Sequence, residues 1–417
     1  MKVQIQSLGC KINQFDSGAL KERLLSDGAS LASDGEQPDV SVIFTCTVTN
    51  KSDYQCRQVI RKAIQNKPEG GRVVVAGCYA QTNPGEIAKI PGVDVVVGND
   101  GKDTLHELIL GRIGKVSDDA FLAQALDGRS RAFLKVQEGC ESFCSYCIVP
   151  YARGKSRSAG MDDIIGNADR LIERGYHEIV LTGIHLGVYG RERGETLSGL
   201  VRNLLERPGL GRLRLSSIEP MEIDEGLMEL MSSEKLCRHF HIPLQSGTDS
   251  VLESMGRSYS AGQYFDLIEN IAAKVPGACI GADVIVGYPA EDEAAFNETY
   301  DRIKDSPINH LHVFSYSPRT GTRAFDFGDP VRGDVKKNRS RALRALSALK
   351  NTEFRKKFLG KALSVVVEDE GCDGTASGLS DNYIRVSFGA EGLRRKSAVM
   401  VKINEITEGI CKGSVVL

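Results

Sequence analysis

The stretch Gly139-Cys140-Glu141-Ser142-Phe143-Cys144-Ser145-Tyr146-Cys147 brings three cysteines into one short segment. Three residues separate the first pair and two separate the second, so a tight loop can turn three thiolates toward a single point. Thiolates are the ligands of iron–sulfur clusters, and a four-iron cluster needs four ligands. The loop supplies three, which leaves one iron open, as in catalytic metal sites. The spacing predicts such a cluster on Cys140, Cys144 and Cys147.

A structural zinc knuckle is the alternative interpretation of this loop. Structural zinc sites are closed by four Cys or His ligands. The next histidine after the loop is His177, thirty residues further along the chain. The lack of a local fourth ligand favours the cluster over zinc.

The composition is that of a soluble protein with more than one domain. The chain has 417 residues, of which 41% are hydrophobic and 26% charged, and this length predicts two or three domains. No apolar run is long enough for a membrane span, so we expect no membrane association. Eleven cysteines without a secretion signal favour metal ligands and buried thiols in a reducing compartment, which predicts a cytoplasmic protein. The net charge of −2 gives no sign of nucleic acid binding by the surface as a whole.

Residues 1–120 form the first predicted domain. Apolar strand patterns alternate there with helical patterns, which predicts an α/β fold with a doubly wound parallel sheet. Cys10, Cys46 and Cys78 each follow one of these strands. Ligands gather at the carboxyl ends of the strands in such folds, so the three thiols are expected to converge. Three separate buried thiols are the alternative, because free cysteine often behaves as a small hydrophobic residue.

Residues 128–358 form the second predicted domain. Six strand patterns alternate with helical patterns, which predicts an open, partial (β/α)6 barrel of the TIM type with its chemistry at the carboxyl ends of the strands. The cysteine loop follows the first strand. Polar and Gly-rich segments follow later strands, and the candidates for cofactor contact there are Gly183, Ser217, Glu219, Gln245 and Asp283. Each of these residues taken alone is also consistent with an ordinary turn. Their joint placement around the mouth of one barrel favours a cofactor-binding site.

The C-terminal part of the chain has two features that suit RNA. Residues 332–361 are strongly basic, and Leu343, Leu346 and Leu349 recur at helical spacing, which predicts an amphipathic helix with a cationic face. A solvated charged face is one interpretation, and attraction to phosphate is the other. Residues 360–417 form the third predicted domain, a small antiparallel β-barrel of a kind that often binds oligonucleotides.

Taken together, these motifs resemble those of the radical S-adenosylmethionine (radical SAM) methylthiotransferases over essentially the whole chain. The resemblance is carried by residues 9–14, 45–49, 77–81 and the cysteine loop with its continuation at 148–154. It implies two [4Fe-4S] clusters, the second of them held by Cys10, Cys46 and Cys78. It also implies S-adenosylmethionine as methyl donor and radical source, an electron donor, and a C-terminal barrel similar to the tRNA-binding TRAM domain.

The motifs at residues 182–187 and 215–220 are similar to the MtaB type of this family. Enzymes of that type place a methylthio group on carbon 2 of N6-threonylcarbamoyladenosine at position 37 of tRNA, next to the anticodon. The resemblance therefore implies an enzyme that acts on the anticodon loop of tRNA, and we expect a monomer. Phe44 departs from the family pattern, which usually has Asn there, and Cys56 stands beside the pattern without a ligand role.

Side chains around the cysteine loop are candidates for substrate contact. The modified base carries a carboxylate, and burying it needs a cation, which Arg153, Lys155 or Arg157 is placed to supply. Phosphate contact is the alternative for these three residues. Phe143 and Tyr146 are candidates to stack on the base, with packing around the cluster as the alternative.

Two further functions are the alternatives to this prediction. One stays within the family: methylthiolation of isopentenyladenosine in tRNA or of a ribosomal-protein aspartate. The other is a non-catalytic iron–sulfur protein that binds RNA or senses redox state. The intact loop spacing and the polar barrel mouth favour an enzyme, and counts of bound iron and cleaved cofactor after anaerobic reconstitution separate the two classes.

Overall fold

The computed structural model describes residues 1–33, 35–112, 129–371, 374–389, 392–407 and 409–416. The predicted boundary between the first two domains, at residues 120–128, lies outside these ranges. The described elements form three groups, each with its own hydrophobic core.

The first group is a parallel five-stranded sheet with strand order β2-β1-β3-β4-β5. All six side chains of the central β3 are buried, because helices cover both faces of the sheet. The predicted doubly wound sheet is therefore confirmed. The strands are β1 (Lys2–Ser7), β2 (Ser30–Leu31), β3 (Val40–Thr45), β4 (Arg72–Gly77) and β5 (Val95–Val97). The helices are α1 (Lys11–Ser26), α2 (Asn50–Gln65), α3 (Cys78–Thr82), α4 (Pro84–Ala88) and α5 (Leu105–Leu110).

The second group is a half barrel of six parallel strands, as predicted. Two three-stranded sheets, β6-β9-β10 and β11-β12-β13, meet where Leu213 bridges Leu236. The strands, with the short hairpin β7 and β8, are β6 (Arg131–Lys135), β7 (Gln137–Glu138), β8 (Arg157–Ser158), β9 (Glu178–Thr182), β10 (Arg212–Leu215), β11 (His239–His241), β12 (Cys279–Val286) and β13 (His310–Ser315). The helices are α6 (Val149–Arg153), α7 (Met161–Glu173), α8 (Leu197–Leu205), α9 (Glu225–Leu230), α10 (Asp249–Met255), α11 (Ala261–Lys274), α12 (Glu293–Asp305), α13 (Arg323–Asp326) and α14 (Gly333–Lys356).

The third group is a closed five-stranded barrel with the order β14-β15-β16-β18-β17. Its strands are β14 (Ala362–Glu370), β15 (Thr375–Ser380), β16 (Arg385–Gly389), β17 (Ala398–Thr407) and β18 (Ile410–Val415). The predicted small barrel is confirmed, with one difference in pairing: β16 and β18 run parallel, and their contact closes the barrel. The sequence pattern also misses β15, whose residues Thr-Ala-Ser-Gly-Leu-Ser have low strand propensity and are held by strands on both sides.

The C-terminal barrel covers the lower end of the half barrel, where its strands begin. Arg212 and Arg214 of β10 both pair with the buried carboxylate of Glu178. Each also donates to a backbone carbonyl of the C-terminal barrel, at 2.8 and 2.9 Å. The ring of Tyr383 stacks on His239 with a centroid distance of 4.0 Å. The open end of the half barrel is therefore the end where the strands finish. Within the described ranges, no helix has the length and apolarity to cross a membrane.

Candidate functional site

The cysteine loop lies at the open end of the half barrel and is fixed at its base by β7 and β8. Gly139 starts the loop with φ of 78°, and a Cβ there would collide with the backbone carbonyl of Lys155. The amide of Cys140 donates to the carbonyl of Gly154 at 3.1 Å, and that of Cys147 to the carbonyl of Cys144 at 2.9 Å. These bonds hold Cys140, Cys144 and Cys147, here called the loop triad, on one compact turn.

Two cations from the half barrel approach the loop triad. The ring of His185 lies 3.5 Å from the Cys140 Sγ and its other nitrogen lies 2.6 Å from the carboxylate of Glu222. Arg257 donates to the Cys144 Sγ at 3.2 Å and pairs with Glu219. Positive groups at this distance stabilise thiolates, the form that binds iron.

The three thiols of the loop triad differ in their acidity. Burial acts to raise the pKa of Cys140, but the hydrogen bond and charge of His185 and the hydrogen bonds of Ser142 together outweigh it, so the pKa lies below its ordinary value. Burial raises the pKa of Cys144 against the opposing effect of Arg257. Burial also raises the pKa of Cys147 to about 12. Cys140 is therefore the thiol most ready to deprotonate before iron binds.

The fold brings Cys10, Cys46 and Cys78, here called the strand-end triad, to neighbouring positions. They directly precede α1, follow β3 and begin α3, and β1, β3 and β4 are adjacent in the sheet. A Cβ on Gly9 would lie 2.5 Å from the Cβ of Cys46, so glycine is what lets these two segments approach. The three cysteines therefore converge at the carboxyl ends of neighbouring strands, as expected.

Phe44 and Cys56 both have structural roles beside the strand-end triad. The Phe44 ring is buried in the core between the sheet and α1. Asn13 ties the segment around it by donating to the carbonyls of Leu8 and Thr45, each at 2.8 Å. The buried Sγ of Cys56 lies 3.4 Å from both the amide nitrogen and the carbonyl oxygen of Cys46. Cys56 therefore supports the backbone of Cys46.

Arg153 connects the two triads. It ends α6, which follows the cysteine loop, and its Nε donates to the Cys78 Sγ at 3.2 Å. Its Nη1 pairs with Glu138 at 2.9 Å and with Asp16 at 3.1 Å, and the side chain is buried. The interpretation of Arg153 as a cation for the substrate is wrong, because all of its donors face protein groups.

The spacing of the thiols bears on which group they fit. In a tetrahedral zinc site the metal–sulfur distance is about 2.3 Å, so the sulfur atoms of two thiolates on the same zinc ion lie about 3.8 Å apart. Among the residues that the structure describes, neither triad has its three sulfurs within 4.8 Å of one another. Three thiols at a wider spacing, with no fourth protein ligand in the loop, fit a four-iron cube better than a single zinc ion.

The five residues expected at the barrel mouth lie on four segments of the half barrel. Gly183 directly follows β9, and a Cβ there would lie 3.1 Å from Gln137. Ser217 is exposed and Glu219 is paired with Arg257, both on the segment after β10. Gln245 has φ of 63°, and its amide donates to the carbonyl of Asp283 at 2.8 Å.

Asp283 itself lies inside β12 rather than after it. Its carboxylate accepts hydrogen bonds from His241 and His312. Asp283 therefore lies three residues before the end of β12 at Val286 rather than at the strand end, and its contact with the cofactor stays a prediction.

The two aromatic candidates of the loop differ in exposure. Phe143 is 47% exposed, has φ of 45° and meets Tyr151 edge-on at a centroid distance of 5.7 Å. Tyr146 packs against a small apolar cluster that includes Tyr288. Phe143 is therefore accessible to a base, whereas Tyr146 helps to anchor the loop.

The basic segment at residues 332–361 is largely the helix α14. Lys336 and Arg339 are buried and pair with Asp329 and Glu291, so the predicted cationic face is smaller than the sequence indicates. Lys337, Arg341 and Arg344 are exposed along one groove of about 790 Å³. Leu349 is 57% exposed, against prediction, because three-residue steps rotate around the helix and leave the buried face.

Sequence reasoning missed His185, Glu222 and Arg257 as neighbours of the loop triad. His185 stands within the segment 182–187 that carries the resemblance, but nothing in that segment indicates a contact with Cys140. Arg257 follows a left-handed Gly256 at the end of α10 and has no sequence signal at all. These residues and the cysteines that they contact follow different strands, so only the folded structure reveals the contacts.

Family models match two parts of the chain. Residues 2–98 match the uncharacterized protein family UPF0004, and residues 134–303 match the radical SAM superfamily. The structure is similar to the radical S-adenosylmethionine methyltransferase TsrM from Kitasatospora setae, with a TM-score of 0.56 over 75% of this chain and 72% of that chain at 15% identity. This likeness supports the fold alone.

Relatives at higher identity span the whole chain. The threonylcarbamoyladenosine tRNA methylthiotransferase MtaB of Aquifex aeolicus is 39% identical over 93% of this chain and 96% of the relative. The Bacillus subtilis protein of the same name is 39% identical over 96% and 93%. A tRNA-2-methylthio-N(6)-dimethylallyladenosine synthase from Fervidobacterium nodosum is 31% identical over 100% and 99%. The chain therefore belongs to the radical SAM methylthiotransferase family and is a tRNA methylthiotransferase of the MtaB group.

Proposed function

We propose that this enzyme transfers a methylthio group to carbon 2 of N6-threonylcarbamoyladenosine at position 37 of tRNA, next to the anticodon. The observation that carries this substrate is the name shared by relatives that are 39% identical over 93% or more of both chains. The reaction needs an electron donor, and we propose that the enzyme acts as a monomer in the cytoplasm.

The loop triad is proposed to hold the [4Fe-4S] cluster that binds S-adenosylmethionine, and the strand-end triad a second [4Fe-4S] cluster. When bound, these groups supply the radical and sulfur chemistry that an unactivated aromatic C–H requires and that no side-chain acid or base provides. The chain itself binds the base, orients it and excludes water. The contact of Arg153 with Cys78 supports a fixed placement of the two triads relative to each other.

Buried cations balance the thiolates of both triads. Each set of three thiolates carries negative charge that burial disfavours. His185 and Arg257 lie against the loop triad, and Arg153 lies against the strand-end triad. Glu222 and Glu219 in turn hold two of these cations in place. These cations thus oppose the effect of burial, which raises the pKa of Cys10, Cys46, Cys144 and Cys147.

The residues of the barrel mouth are proposed to contact S-adenosylmethionine. Ser217 and Glu219 share one segment, and Gln245 and Asp283 are joined by a backbone hydrogen bond. The hydroxyl of Ser217, the carboxylate of Glu219 and the side-chain amide of Gln245 suit the ribose hydroxyls and the amino group of the cofactor, whereas the carboxylate of Asp283 is held by His241 and His312. Gly183 leaves the space beside Gln137 open, so backbone and ligand can approach closely there.

Lys11 is proposed as the cation for the substrate carboxylate, in place of Arg153. It directly follows Cys10 and makes no ion pair within the described residues. Lys11 is exposed, and partial desolvation together with Arg131 and Arg214 lowers its pKa to about 8, while Glu178 and Asp283 act in the opposite direction. An anionic ligand would relieve this repulsion, so a carboxylate beside the strand-end triad fits the charge better than an isopentenyl group does.

The groove on α14 is proposed to contact the phosphates of tRNA. Lys337, Arg341 and Arg344 face one side, whereas the neighbouring cations are held by acidic residues. Phosphate contacts position nucleic acid without reading its sequence. The C-terminal barrel, similar to a TRAM domain, is proposed to add a second contact.

The test is to offer the anaerobically reconstituted enzyme one tRNA sequence in three forms at position 37. These carry threonylcarbamoyladenosine, isopentenyladenosine or plain adenosine, and nucleoside mass spectrometry measures the methylthio product. We expect product on the threonylcarbamoyl form at a rate at least tenfold above the other two. Faster reaction of the isopentenyl form would assign the substrate named for the Fervidobacterium nodosum relative instead.

A further inference from the structure

Four of the seven histidines of the chain lie on two strands of the half barrel. His239 and His241 belong to β11, and His310 and His312 belong to β13. Residues two apart on a strand point to the same face. The strand β12 lies between these two, and its alternate residues Ile280, Ala282, Val284 and Val286 are buried in the core under the helices. The opposite face, with Asp283, borders the lumen, the space enclosed by the half barrel.

His241, Asp283 and His312 converge on this inner face. The Nε2 of His241 lies 2.9 Å from the Asp283 Oδ1, and the Nδ1 of His312 lies 3.2 Å from the same oxygen. All three atoms lie within 4.8 Å of one another, and no other such group of metal-binding side chains occurs among the described residues. Ligands on one zinc or iron ion, with bonds of about 2.0–2.2 Å, are about 2.9–3.4 Å apart.

We propose that His241, Asp283 and His312 form a binding site for one divalent transition-metal ion in the lumen of the half barrel, separate from the two thiol triads. Two imidazoles and one carboxylate suit zinc or ferrous iron. Three protein ligands leave coordination positions open. His312 is half exposed, so the open side faces the lumen.

Both rings direct a nitrogen at the same carboxylate oxygen, the Asp283 Oδ1, and the rings stand 5.0 Å apart and tilted by 31°. In the metal-free chain these contacts are hydrogen bonds. A bound metal ion would replace the shared hydrogens, and the three ligand atoms are already close together.

A further imidazole stands next to the site, since the ring of His310 meets that of His312 edge-on at a centroid distance of 4.8 Å.

The experiment uses the full-length enzyme with both clusters loaded, so that the thiol triads are filled. Wild type, Asp283→Asn, His312→Ala and the control His106→Gln are dialysed against micromolar Zn²⁺, and zinc and iron are counted separately by mass spectrometry. His106 lies on α5, paired with Asp27, far along the chain from the half barrel. We expect one zinc per chain in the wild type and the control, and at least tenfold weaker zinc binding in the other two variants.

Two results overturn the proposal: no zinc in the wild type at full iron content, or equal zinc in all four proteins. Unchanged iron content shows that a variant is folded. If Asp283→Asn does not fold, His312→Ala still tests the site, because His312 is half exposed and its loss should disturb the fold less. Co²⁺ offers a second readout, since a cobalt site of nitrogen and oxygen ligands lacks the sulfur charge-transfer band of a thiolate site. A sulfur band on added Co²⁺ would place the metal on cysteine and also overturn the proposal.

Discussion

The loop triad and the strand-end triad each place three cysteines at one site, but they are built in different ways. The loop triad comes from a single turn, held by Gly139 and by backbone hydrogen bonds within a few residues. The strand-end triad takes one residue from each of three segments, which only the parallel order of β1, β3 and β4 brings together. The cation of the second triad, Arg153, comes from the helix that follows the first. The helix that follows the loop triad therefore supplies a cation to the strand-end triad, so the two triads are not independent.

Removing the loop triad gives the largest expected effect. Changing Cys140, Cys144 and Cys147 to Ala removes three ligands of one proposed cluster and leaves the other set intact. We expect about half the iron of the wild type and no 5′-deoxyadenosine, measured by iron analysis and chromatography. Residual cofactor cleavage in this variant would falsify the assignment.

Breaking the strand-end triad separates the two roles. In Cys10→Ala the loop triad is unchanged, so we expect cofactor cleavage to continue while methylthio product falls at least a hundredfold. Nucleoside mass spectrometry and 5′-deoxyadenosine assays measure both in one reaction. Cys411→Ala is the control, since that buried thiol lies in the core of the C-terminal barrel. Full iron content and product in Cys10→Ala would show that the strand-end thiols are only buried side chains.

The link between the triads is tested by Arg153→Met. This change leaves Glu138 and Asp16 buried with one cation fewer, and loss of one partner from a buried ion pair costs ~3–5 kcal/mol. Denaturant unfolding of the cluster-free chain measures the free energy. Arg157→Met is the matched control, since Arg157 contacts the same Glu138 but is 49% exposed, where an ion pair contributes about 0–1 kcal/mol. Equal losses in the two variants would show that burial does not set the strength of this network.

The smallest expected effect concerns the acidity of one thiol in the loop triad. His185 holds the pKa of Cys140 below its ordinary value, whereas burial raises that of Cys147 to about 12. In the cluster-free chain, Cys140 should therefore react with iodoacetamide at lower pH than Cys147. His185→Gln removes the cation, so the pKa of Cys140 should rise and the difference should shrink. Peptide mass spectrometry across a pH series measures it, and an unchanged profile for Cys140 would rule out the effect of His185.

The same contrast explains how much of this molecule the sequence predicts. The loop triad is evident from spacing alone, and the half barrel from alternating patterns, because both depend on neighbouring residues. The strand-end triad needs the fold class first. The cations are not predictable: Arg153 reads as a substrate ligand but is buried, and Arg257 has no signal because its partners come from other strands. The strand β15 is missed because the barrel, rather than its own residues, makes it extended.

The two arginines that reach from β10 into the C-terminal barrel make the half barrel and the C-terminal barrel structurally dependent on each other. Cutting the chain near residue 360 would take away the carbonyls that Arg212 and Arg214 bind and the ring that covers His239. The domain boundary that the composition indicates is thus not a point at which the chain can be divided without loss. The C-terminal barrel closes the lower end of the half barrel rather than hanging from its side. For the tRNA contact proposed at the C-terminal barrel, the hydrogen bonds from β10 would therefore fix the distance between that contact and the half barrel.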